Sequence, residues 1–131
     1  MGAGAMEAPA QHRTGAAAAD LLETRLAATR EWLATEPETT YSIQLLGAEN
    51  PVQLKEHLNV LSKFVEINQI YVYRTVARQK PSLTVTYGSF GSRREAQDAL
   101  EKLPARLKAY RPILRTVHGI RSEIRQHQTG S

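Results

Sequence analysis

The stretch Ser82-Leu-Thr-Val-Thr-Tyr-Gly-Ser-Phe-Gly-Ser-Arg-Arg-Glu95 decides how the rest of the chain is read. Leu83, Val85 and Tyr87 alternate with Ser82, Thr84 and Thr86. This is the period of a strand with one packing face and one hydroxyl-lined face. Gly88 and Gly91 close the strand, and Ser92 with Glu95 three residues later forms a capping box that opens a helix. That helix carries Ala96, Ala99, Leu100 and Leu103 inward, and Pro104 is predicted to end or kink it.

Upstream, Ile70-Tyr-Val-Tyr-Arg-Thr-Val76 is rich in β-branched and aromatic residues and reads as a strand, with Ala77 to Pro81 as the polar turn between the two. Asn50, Pro51 and Gln53 mark a helix start, and Leu54, Leu58, Leu61 and Val65, widened by Phe64, form its apolar stripe. Before it, Tyr41, Ile43 and Leu45 alternate against Ser42, Gln44 and Leu46 as a first strand. Downstream, Ile113-Leu-Arg-Thr-Val117 is predicted as a fourth strand, followed by Gly119 and a polar, helix-compatible tail from Ile120.

The order βαββαβ predicts an α+β, ferredoxin-like (RNP-like) fold: a four-stranded antiparallel sheet with two helices on one face and the other face open. The first and third strands are expected as central neighbours, which brings Gln44 and Thr84 together on the open face. Residues 1–19 have the small-residue composition of a disordered linker. Residues 20–36 read as an amphipathic flanking helix: Leu22, Leu26, Thr29 and Leu33 share a face with Trp32 beside it, Asp20 is the expected N-cap and Glu36-Pro37 the stop. The folded domain is placed at 41–124 and a tail at 125–131.

At 131 residues the chain has the length of one domain. It contains no cysteine, which excludes a disulfide framework, a thiolate metal site and a cysteine nucleophile. No window is apolar enough to span a bilayer and the opening residues lack a basic then apolar leader, so the chain is expected to be soluble, with any targeting segment or membrane anchor upstream of it. Residues 1–40 hold three basic and six acidic side chains, whereas residues 41–131 hold fourteen basic and seven acidic. The folded part is therefore the basic part, which favours an anionic partner. His12, His57, His118 and His127 have no metal-ligand spacing. No nucleophile elbow, phosphate loop or paired carboxylates point to catalysis, so neither enzyme activity, cofactor nor metal is expected. His57, between Leu54 and Leu58, reads as a boundary packing residue.

The spacing of Tyr41-Ser-Ile-Gln44-Leu, of Leu83-Thr-Val-Thr-Tyr-Gly88-Ser-Phe90 and of Ser92-Arg-Arg-Glu95-Ala96 resembles the SPOR family of bacterial cell-division and cell-envelope proteins. Leu103-Pro104-Ala105 and Tyr110-Arg111-Pro112 fit its DamX-like branch. The resemblance implies non-catalytic binding of peptidoglycan glycan strands, especially strands denuded of stem peptides at the division septum, on the periplasmic side of the inner membrane. It also implies cell-division proteins as further partners and a monomeric module.

Carried over to this chain, the resemblance makes Gln44 the glycan-facing glutamine of the first strand, with Ser42 beside it; an amide both donates to and accepts from sugar hydroxyls. The family's tryptophan and arginine on the third strand are replaced here by Ser82 and Thr84, with Thr86 next in line. Tyr71 and Tyr73 are expected to supply the missing aromatic face if Ile70 and Val72 point inward, and Arg74, Arg78 and Lys80 around the following turn, or Arg115 on the last strand, are candidates for the missing charge. Two other readings share the element order. An RRM-like RNA-binding domain would carry stacking aromatics on its central strands, where this chain has Ser82, Thr84 and Thr86, so nucleic acid is not expected. A protein-interaction domain would use the sheet or the 20–36 helix.

Overall fold

The computed structural model describes residues 14–129. Its order is α1 (Thr14–Thr35), β1 (Tyr41–Ala48), α2 (Pro51–Leu61), a single 3-10 turn (Ile67–Gln69), β2 (Ile70–Ala77), β3 (Lys80–Phe90), α3 (Arg93–Glu101), α4 (Ala105–Lys108), β4 (Ile113–Thr116) and α5 (Val117–Thr129). The four strands form one antiparallel sheet in the order β2-β3-β1-β4, so β1 and β3 are the central neighbours that the sequence predicts.

Both predicted caps form. Gln53 N donates to Asn50 Oδ1 at 2.9 Å, and the Gln53 amide oxygen accepts from Glu49 N. Glu95 N donates to Ser92 Oγ, and Glu95 Oε1 accepts from Gly91 N. With their ends fixed, α2 lays Leu54, Leu58 and Leu61 and α3 lays Ala96 on one face of the sheet, where Leu103 just past α3 joins them against Ile43, Leu45, Ile70, Val72, Leu83 and Val85. Each fully buried leucine or isoleucine stabilises this core by about 1.5–3 kcal/mol. Leu107 of the short α4, a turn not anticipated after Pro104, is also fully buried there.

Two bulges set which side chains leave this core. Opposite Ser42, β3 carries one extra residue, and Gly88 takes up the strain at φ +84°, with Ser42 Oγ donating to its carbonyl at 2.7 Å. A Cβ at Gly88 would also lie 2.4 Å from the Phe90 ring, which would have to move aside. The second bulge is at Leu45 of β1, where Gln44 pairs with Thr86 but Leu46 already pairs with Val85. It turns Leu46 to the core cluster, correcting the simple alternation that puts Leu46 beside Gln44. Gly47, paired with Thr84, stands on the far face instead.

That far face is not left open, and here the sequence-based expectation is corrected. Helix α1 begins earlier than predicted, at Thr14, so Asp20 lies within it and not at its cap. It first lies along β2, an edge strand whose outward main-chain groups need partners. Arg25 donates to Ile67 O, Asn68 O and Ile70 O, and Val72 N donates to Thr29 Oγ1 at 2.7 Å. Further on, the helix reaches the sheet face, where the Trp32 ring lies on Tyr71 with centroids 4.1 Å apart and planes 8° from parallel. The tail predicted as polar is helix α5, whose Val117, Ile120 and Ile124 join Trp32, Tyr71 and Tyr73 in a second apolar cluster. Arg121 ties the two helices together by donating to Leu33 O and Glu36 O, carbonyls at the end of α1 that have no intrahelical partner. The linker assigned to residues 1–19 falls largely outside the described residues.

Candidate functional site

Between the end of β1, the β2–β3 hairpin and α5, a groove of about 990 Å3 remains on the far face. Its floor is Gln44, Thr84 and Ser82, its hairpin wall carries Arg78 and Lys80, and Arg115 and Glu123 close the end nearest α5. The Leu45 bulge is what places Gln44 and Gly47 together on this floor, and Gly47 leaves space beside Thr84.

A fixed polar cluster organises the closed end. Arg115 Nη1 donates to Gln44 Oε1 at 2.8 Å and to the Tyr73 hydroxyl at 3.4 Å, while Arg115 Nη2 pairs with Glu123 Oε1 at 2.9 Å. With its oxygen engaged by Arg115, Gln44 retains two N–H donors. Thr75 and Thr84 share a hydroxyl–hydroxyl hydrogen bond of 3.0 Å across the β2–β3 pair. Burial pushes the Tyr73 hydroxyl well above the usual phenol range; Arg115 opposes that shift and Glu123 adds to it. Burial raises Tyr71 as well, with Arg25 opposing and Glu36 adding. Both therefore stay neutral at physiological pH.

Of the eight residues singled out from sequence, the groove brings together Gln44, Ser82, Thr84 and Arg115. The other four are buried or covered. Ser42 and Thr86 are fully buried, Tyr73 is nearly so, and the Tyr71 face is taken by Trp32. The two tyrosines thus do not present the aromatic platform expected of them, because Trp32 and α5 bury more apolar area by packing on them. Thr86 Oγ1, in the row between Tyr71 and Gln44, is a buried side-chain oxygen without a hydrogen-bond partner. Its burial leaves it out of reach from the groove.

Glu123 and Thr75 are groove residues that the sequence did not flag. Glu123 was recoverable in principle: Val117, Ile120 and Ile124 recur at helical spacing, and the helix they define carries Glu123 beside Arg115. His57 is half-buried, edge-on to Tyr110 at 6.1 Å, and His118 lies 3.5 Å from Glu38 at the surface. Among the described residues no three histidines or carboxylates converge to hold a metal, and no helix is long and apolar enough to cross a membrane.

Comparison with known proteins adds the family context. The cell division protein DamX of Serratia marcescens is 29% identical over 90 residues, which cover 69% of this chain and 40% of that protein. The chain thus spans under half the length of this relative. Residues 37–116, from the residue after Glu36 through the last residue of β4, match the model of the SPOR domain. The match covers the sheet, α2, α3 and α4 and excludes both helices of the far face. This chain belongs to the SPOR domain family.

Proposed function

We propose that the groove bounded by Gln44, Ser82, Thr84 and Arg115 binds peptidoglycan glycan strands, and that this binding directs the parent protein to the cell envelope at the division septum. SPOR domains are binding modules of cell-division and cell-wall proteins, and catalysis has no part in the reading. The observation that carries it is the Gln44–Arg115–Glu123 cluster on the floor and end of an accessible groove. Gln44 offers amide donors to sugar hydroxyls or an N-acetyl carbonyl, and Ser82 and Thr84 offer hydroxyls. Arg115 brings to the groove, from β4, a guanidinium suited to the lactyl carboxylate that muramic acid exposes once its peptide is removed.

No aromatic ring is among the groove-lining residues, since the Trp32–Tyr71 stack is turned inward. Recognition then rests on hydrogen bonds and charge, each worth a net of about 0.5–1.5 kcal/mol. Binding per site is therefore weak and salt-sensitive, and a polymeric strand supplies avidity. The reading places the domain on the periplasmic side of the inner membrane.

The test is co-sedimentation with isolated peptidoglycan sacculi before and after amidase removal of stem peptides, using the full chain and its Gln44→Ala and Arg115→Met variants. The expected result is pelleting that increases after amidase treatment, falls with added salt and drops in both variants. Absence of pelleting with either preparation refutes the reading.

A further inference from the structure

Helix α1 covers only the first half of the β2 edge. Ile70 O and Val72 N point outward, to Arg25 and Thr29. On an antiparallel strand the outward main-chain groups recur every second residue, so those of Arg74 and Val76 continue the row. Among the described residues no hydrogen bond reaches these groups from outside the β2–β3 pair. Here α1 has left the edge for the sheet face, where Trp32 meets Tyr71.

Beside this uncovered edge is a second groove of about 430 Å3, formed by Leu26, Arg30 and Leu33 of α1, Ile124 of α5, and Arg74 and Val76 of β2. Val76 is 43% exposed, and Val76 is among the few large apolar side chains left that open. The groove is lined by two arginines and no acidic residue.

We propose that this edge receives an extended acidic peptide segment of another protein, which adds as a strand to β2 outward of Arg74 and Val76. Alternating N–H and C=O groups at strand spacing match a peptide main chain, in the manner of β-augmentation. The apolar groove accepts the peptide's alternate side chains, and Arg30 and Arg74 select acidic residues. A second copy of this chain is disfavoured there, because pairing like edges would bring Arg74 and Arg30 against their own counterparts. The two grooves meet at Thr75 and Val76, but Arg30, Arg74 and Ile124 line only this one, whereas Gln44, Thr84 and Arg115 line only the other.

The test is fluorescence anisotropy of the full chain with labelled Glu-Val-Glu-Thr-Glu-Val, its Lys-for-Glu analogue, and an acidic hexapeptide with proline at alternate positions. The acidic peptide is expected to bind saturably, with the other two at least about tenfold weaker. Val76→Pro removes one outward N–H while sparing the β2–β3 ladder, and is expected to weaken binding about five- to tenfold. Arg74→Glu is expected to abolish it. Unchanged circular dichroism and cooperative urea unfolding show that each variant is folded. No saturable binding of the acidic peptide at about 1 mM, or equal binding to Val76→Pro, overturns the proposal. So does a concentration-dependent dimer in sedimentation velocity that Val76→Pro dissolves, which would assign the edge to a second copy.

Discussion

Replacing Trp32 by alanine tests whether α1 is an integral part of the domain, although it lies outside the stretch that matches the family. Trp32 is 6% exposed, stacks on Tyr71 and donates from Nε1 to Ser89 Oγ at 3.0 Å. Truncating a buried aromatic of this kind costs about 3–5 kcal/mol, of which stacking accounts for roughly 0.5–1.5 and the hydrogen bond for about 1. Ser89 is exposed, so losing its partner leaves no buried orphan and adds no further penalty. With a urea m-value of about 1.5 kcal/mol per molar, the unfolding midpoint should fall by roughly 2–3 M. Trp32→Phe keeps most of the apolar contact and should cost only about 1–2 kcal/mol. Equilibrium urea unfolding, followed by far-ultraviolet circular dichroism, measures both variants. A loss below about 1 kcal/mol for Trp32→Ala would refute the docking of α1 on the sheet face.

Two further outcomes follow from the hairpin and from the buried phenol. Arg78 and Gln79, the two residues of the β2–β3 turn, both have left-handed φ, at +53° and +68°. Such turns favour glycine at the second position, so Gln79→Gly should stabilise the chain by about 0.5–1 kcal/mol, net of glycine's entropic cost, and raise Tm by about 2–4 °C in calorimetry. Tyr73 and Tyr71 have hydroxyls raised by burial, so the folded state holds their protons more tightly than the unfolded state. Their contribution is full below the unfolded value of about 10 and is lost as pH rises above it, with a slope of up to about 1.4 kcal/mol per pH unit for each tyrosine. Tyr73→Phe should reduce that alkaline slope by about half a proton on average in urea melts between about pH 9 and 11, approaching one proton at the upper end; an unchanged slope would place Tyr73 in solvent.

Much of the fold was legible because its signals are local. The alternation in Leu83, Val85 and Tyr87, the caps at Asn50 and Ser92, and the apolar stripe of α2 each act within a few residues, where backbone geometry and burial give the same answer. The site was legible only in part. Gln44, Ser82 and Thr84 face the groove as their strand parity implies, and Arg115 reaches it from the edge strand. Strand parity equally put Ser42, Thr86, Tyr71 and Tyr73 on that face, but parity says nothing about what lies over it. The covering pieces are distant in sequence, since Trp32 meets Tyr71 and Arg121 meets Leu33 only after the chain has closed.

The sequence by itself determined the elements, their order, the central pairing of β1 with β3 and the basic character of the folded part, because each follows from periodicity, capping and composition. Tertiary structure alone decided that α1 and α5 share the far face, that two bulges set which residues emerge beside them, and that a polar groove at Gln44 and an uncovered edge at Arg74 meet at Val76. The physical reason is that burial competes across the whole molecule: an aromatic pair at the correct parity for a ligand is worth more when packed against Trp32 than when left in water.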